Sequence, residues 1–171
     1  MISAGAGAAV KAAEPQESSE PALFATNELP RILGEAACVT CAAAASNLYA
    51  NHAVLLKPGG NLRARFDVVN TLSTRYELMS KLAECLIASR VTVRKQADGS
   101  LLYSNEDKRQ YVIQVIRDES DPRHFRGVYY ITGRKMFIDL EALLHLESRP
   151  NGEGGVEYAA RVYARSDSHI L

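Results

Sequence analysis

Apolar and polar positions change rhythm twice along the chain. Leu29, Ile32, Leu33, Ala36, Ala37, Cys41, Ala44 and Leu48 recur at helical spacing, which predicts a helix over 28–50. Asn27 is a suitable cap, Pro30 fits a first turn and Gly34 weakens the middle. Val54-Leu55-Leu56 leads into Lys57-Pro58-Gly59-Gly60-Asn61, a chain reversal. Leu62, Ala64, Phe66 and Val68 then alternate with Arg63, Arg65 and Asp67, which predicts a half-buried strand over 62–69. Thr74 and Glu77 read as a capping box, and Met79, Leu82, Ala83, Leu86 and Ile87 form one stripe. A second helix is therefore expected over 74–89.

From Arg90 the period becomes two. Strands are expected at 91–95, from 101, and at 110–118, 127–132, 135–147 and 156–165. Asp98-Gly99 and Gly133-Arg134 read as tight turns, and 118–126 as a charged loop. The last two strands match closely. Ile138, Leu140, Ala142, Leu144 and Leu146 share one face, as do Val156, Tyr158, Ala160, Val162 and Ala164. Paired through the loop Arg149–Gly155, they would lay one apolar face over a core beneath the helices. The other face would set Asp139 and Glu141 near Arg161 and Arg165.

A helix, a strand, a second helix and then an antiparallel meander predict an α+β fold. It would have two helices packed on a curved antiparallel sheet of about five to six strands. The element order resembles the cone-shaped sheets of the nuclear-transport-factor-like class. The helix-grip class is the alternative, although that class closes with a long C-terminal helix and this chain ends after a strand. Residues 1–25 are rich in Ala, Gly, Ser, Glu and Pro, so they are expected to form a disordered tail before a single domain over 26–171.

Composition narrows the functional classes. The 171 residues carry 20 basic and 20 acidic side chains, so the net charge is zero. That balance argues against a nucleic-acid binder. No apolar run is long enough for a membrane span. Three cysteines leave one unpaired and favour a reducing, cytoplasmic setting, with a secreted or periplasmic one as the alternative.

Candidate chemistry is sparse, and no cofactor is expected. Cys38-Val39-Thr40-Cys41 has the spacing of redox and zinc motifs, with Cys85 and His52 as the further zinc candidates. Redox pairs usually open a helix, whereas this pair falls about three turns into the predicted one. Two small buried thiols are therefore the default reading. Asp139, Glu141 and His145 alternate on one strand face, where His145 could act as a base oriented by a carboxylate. A solvated, salt-bridged face is the plainer account. The loop Arg117–His124 gathers three acids but lacks an EF-hand pattern. Arg63, Arg65, Arg90, Arg94 and Lys95, with Tyr103 and Tyr111, could form a basic patch.

The leading expectation is a non-enzymatic module that binds an apolar or amphipathic small molecule between sheet and helices. Ala142, Leu144, Ala160, Val162, Leu82 and Leu86 would line its pocket. The small residues facing the helix stripes motivate that reading. The alternatives are a protein-interaction or assembly domain, including a homo-oligomer, and a cone-fold enzyme using His145 with Asp139 or Glu141.

Overall fold

A computed structural model describes residues 28–76, 78, 80–81, 91–107, 109–135 and 138–168. In chain order the elements are α1 (Glu28–Gly34), α2 (Val39–Ala50), β1 (Val54–Leu56), β2 (Gly59–Leu62), α3 (Phe66–Thr74), β3 (Thr92–Lys95), β4 (Leu101–Ser104), β5 (Gln110–Ser120), β6 (Phe125–Lys135), β7 (Ile138–Pro150) and β8 (Val156–Ser168). The strands form one antiparallel sheet in the order β1-β8-β7-β6-β5-β4-β3, with β2 also paired to β8. The fold is α+β, as expected, but among the described residues the sheet has eight strands rather than five or six. The difference arises around Lys57-Pro58, where two short segments both pair with the outer edge of β8.

The β7–β8 hairpin forms as the alternation predicts. Ala142 opposes Ala164, Leu144 opposes Val162 and Glu141 opposes Arg165. The placement of the first helices differs from expectation. Leu29, Ile32 and Leu33 of α1 and Ala45 and Leu48 of α2 pack on Val128, Tyr130, Leu143 and Tyr163. These sheet residues lie on the face of His145, which alternation alone marks as polar. Leu143 and Tyr163 pair directly across the hairpin, and Val128 and Tyr130 extend the patch onto β6. The polar label fails locally because these four large side chains sit together between the charges.

The other face, with Leu144 and Leu146, meets α3. Phe66, Phe125, Tyr129 and Val156 form its buried centre, with Val69 and Tyr76 packed around them. The sheet is thus covered on both sides. A bulge in β5 between Val115 and Arg117 adds a residue to that strand. Ile116, within the irregularity, packs against the α1–α2 core.

Three local expectations need correction. The helix over 28–50 is broken, because Gly34 ends α1 and Cys38 caps α2 in an extended conformation. The Cys38 carbonyl accepts from Ala42 N at 2.9 Å, so the Ala-rich stretch begins its own helix. The strand over 62–69 is instead the end of β2 followed by α3. Phe66 is buried while Val68 is 48% exposed, so burial does not follow the alternation. Asp67 sits in the first turn of α3, where a carboxylate suits the helix dipole. Gly133-Arg134 is not a turn, since β6 runs on to Lys135. A Cβ at Gly133 would come within 2.3 Å of the Tyr111 ring, so the glycine serves the close approach of that ring.

Of the helix expected over 74–89, Thr74 closes α3, while Tyr76, Leu78, Ser80 and Lys81 have helical backbone. Leu82, Cys85 and Leu86, like the tail 1–25, lie outside the described residues. Among the described residues no helix is long and apolar enough to cross a membrane.

The face assignment predicts a difference between neighbouring leucines. Leu143 is fully buried beneath α1–α2, and Leu140 is half-buried. Leu143→Ala should lower the unfolding free energy in urea by about 3 kcal/mol, and Leu140→Ala by about 1 kcal/mol. The reverse order would place the helices on the wrong face.

Candidate functional site

Strand geometry separates the three residues first considered for acid–base chemistry. Residues two apart on a strand lie roughly 7 Å apart, so Asp139 and His145 are about 20 Å apart along β7. Asp139 sits near the end of the strand, with Arg134 Nε 3.5 Å from its carboxylate. Glu141 accepts a 2.6 Å hydrogen bond from Arg165 Nη2, its cross-strand neighbour. That bond raises the Arg165 guanidinium further above its ordinary range. His145 is 1% exposed and lies on the helix-covered face. The three do not converge on one site.

His145 belongs instead to a buried cluster around Glu147, which is 1% exposed. Glu147 Oε1 accepts from Arg126 Nε at 3.0 Å and lies 3.1 Å from His145 Nε2. Its Oε2 lies 3.2 Å from His124 Nε2. Arg126 also reaches Glu28 Oε2 of α1 at 2.7 Å. An ionised carboxylate only accepts, so both imidazoles donate from Nε2. Burial pushes the Glu147 carboxyl up. The His145 hydrogen bond, the Arg126 charge and the His124 hydrogen bond outweigh burial and hold it below its usual range. Sequence reasoning missed this cluster. Its signal was His145 and Glu147 two apart on one face, with Arg126 brought opposite Glu147 by the β6–β7 register.

A groove opens on the face away from α1 and α2. Its floor is the row Val54, Ala164, Ala142 and Ile131, contributed by β1, β8, β7 and β6 in register. Ala53, Leu140 and Tyr111 flank this row, with Ser166 also among the lining residues, around a volume of about 360 Å³. Two small side chains between larger ones leave the recess. Of the expected pocket residues, Ala142 lines this groove. Leu144 packs in the α3 cluster, Ala160 is buried and Val162 is half-buried. Val54, Tyr111, Ile131 and Ala164 were missed as lining residues, because they meet only through the sheet order.

The remaining motifs settle differently. Cys38 and Cys41 form a disulfide, which offers no thiolate to zinc. His52 Nδ1 lies 2.9 Å from the Tyr49 carbonyl, and its ring packs edge-on to Tyr163. In the 117–124 loop, Asp121 accepts from the backbone N–H groups of Arg123 and His124. Arg117 pairs with Glu119, and Asp118 accepts from the Tyr76 hydroxyl. Among the described residues no group of three or more His, Cys, Asp or Glu is placed to hold a metal ion. Arg63 and Arg65 follow β2 at one edge of the sheet, while Arg94 and Lys95 lie on β3 at the other. These four do not make one patch, and Arg90 lies outside the described residues.

No protein-family model, curated protein or solved structure matches this chain.

The Glu147 cluster predicts an acid response. A carboxyl whose folded pKa is depressed stabilises the fold above its unfolded pKa and loses that contribution as pH falls through the folded pKa. The loss should begin below the ordinary value of 4.5. Glu147→Gln should destabilise by about 3 kcal/mol at neutral pH, because Arg126 loses a buried partner. Urea titrations at descending pH should show the gap between the two proteins narrowing below that value. A constant gap would mean that the charge on Glu147 contributes nothing.

Proposed function

We propose that the chain is a non-enzymatic binding module for an apolar or amphipathic small molecule, held in the groove over Ala142 and Ala164. The observation that carries this reading is the row Val54–Ala164–Ala142–Ile131, where two methyl groups stand between larger side chains. The volume of about 360 Å³ falls within the range of small-molecule sites, near its lower end. A hydrocarbon segment would lie along the alanines with its polar end near Ser166. The bulge in β5 supports a curved, cone-shaped sheet around the recess. The separation of Asp139, Glu141 and His145 gives the enzyme alternative no support.

One observation favours a second reading, a protein-interaction or assembly domain. Val54, Leu55 and Leu56 of β1 are 48%, 39% and 55% exposed, at the edge of the sheet. An exposed apolar edge strand is suited to pairing with another chain.

Titration of the full chain with anilinonaphthalene sulfonate, followed by fluorescence, separates the two readings. Saturable binding should weaken at least about tenfold, some 1.4 kcal/mol, in Ala142→Phe with unchanged circular dichroism. Binding that survives the substitution would remove the groove reading. A dimer that dissociates on Leu55→Asp in size-exclusion chromatography would support the assembly reading instead.

A further inference from the structure

The break between α1 and α2 changes the meaning of the cysteine pair. Cys38 is the residue that caps α2, a helix of 12 residues, and Cys41 lies in its first turn. Cys38 is exposed, while Cys41 is only 8% exposed. The two are joined by a disulfide. Cys38 Sγ accepts from Cys41 N at 3.3 Å. The first turn of α2 contains no acidic residue to oppose a thiolate there. Val39, between the cysteines, is 79% exposed and leaves the approach to Cys38 open.

We propose that Cys38–Cys41 is a redox-active disulfide that exchanges electrons with an external dithiol, with Cys38 as the attacked sulfur. A thiolate of the dithiol attacks Cys38 Sγ. The Cys38–Cys41 bond breaks, and its electron pair leaves on Cys41 Sγ, which takes a proton from water. The second thiol of the partner gives its proton back to the solvent, attacks the partner sulfur of the mixed disulfide as a thiolate, and releases Cys38 as a thiolate. Two electrons pass from the dithiol to the pair, and the dithiol ends as a disulfide. The reverse sequence reduces an external disulfide. Burial of Cys41 directs attack to Cys38, and the Cys41 N–H in the first turn of α2 stabilises the Cys38 thiolate released in the second step.

A purely structural staple fits the placement less well. The cysteines are three residues apart in sequence, and so short a loop restricts the unfolded chain little. The start of α2 is also held without sulfur, by the bond from Ala42 N to the Cys38 carbonyl. The site lies with α2 on the face opposite the groove, so its test is independent of the binding proposal.

The test uses the full chain carrying Cys85→Ser, so that only the pair reports. Dithiothreitol at about 1 mM should open the bond in the folded protein. Mass spectrometry after maleimide quenching should show two labelled thiols, with circular dichroism unchanged, and oxidised glutathione should close the bond again. With oxidised glutathione, Cys38 in Cys41→Ser should form its adduct about tenfold faster than Cys41 in Cys38→Ser. A bond that opens only when urea unfolds the protein, thiols that stay reduced against oxidised glutathione, or equal adduct rates would each overturn the proposal.

Discussion

The structure depends on β7 being hydrogen-bonded on both sides. Its 13 residues pair with β8 along their whole length, and β6 pairs with most of the same strand. A strand so placed has no free edge, and its side chains alternate between two faces. Both faces carry large apolar groups, Leu143 on one and Leu144 and Leu146 on the other. Each face therefore demands a cover. α1 and α2 supply one, and α3 with Phe125 and Tyr129 supplies the other. Around Leu140 and Ala142, the described helices leave the strand open. The groove lies there, where the sheet extends beyond the described helices.

The same strand explains why a costly ionic cluster sits inside the fold. Glu147, Arg126 and His145 are tolerable there because the carboxylate accepts from both of the other side chains. A slip of one residue in the β6–β7 register would move Glu147 to the face of Leu144 and Leu146, away from Arg126. It would also carry Leu143 out from beneath α1–α2. The cluster thus penalises the wrong register more than it favours the right one. Glu28 extends the same constraint to α1, since it pairs with Arg126 on the sheet. One network aligns the strands and seats the first helix.

Much of this was legible in the chain, and the failures share a cause. The β7–β8 hairpin and the order of the meander follow from strict alternation over long runs. Of the expected charge pairs, Glu141 does face Arg165, whereas Asp139 stands opposite Asp167 and Arg161 opposite His145. Short runs were ambiguous: Leu62, Ala64, Phe66 and Val68 fit a strand, yet only Phe66 is buried, and it opens a helix. Alternation also names two faces without saying which one a helix will choose. Leu143 and Tyr163 looked like exceptions on a polar face until β6 added Val128 and Tyr130 beside them. The groove was half legible for the same reason. Ala142 stands out within β7, but Val54 and Ile131 join it only through pairings distant in sequence.

The cysteine pair was misplaced by one local feature, Gly34. Read as a weak point in a continuous helix, it puts Cys38 three turns deep; as a terminator, it makes Cys38 a cap. The choice depends on where α1 buries Leu29, Ile32 and Leu33, which is a tertiary matter. Once α2 begins at the pair, its thiol chemistry and the groove stand on opposite sides of the sheet. Leu143 under α2 and Ala142 in the groove are adjacent in sequence but reach different faces. Only the backbone of β7 connects them directly, and hydrogen bonds to two neighbours hold that backbone in place. At its other end α2 runs on through Asn51 and His52 to Ala53 and Val54, which line the groove, and Ala53 N donates to the Ala164 carbonyl at 2.9 Å. The sheet therefore stands between the cysteine pair and the floor of the groove, while the chain leaving α2 links the two sides at the β1 edge.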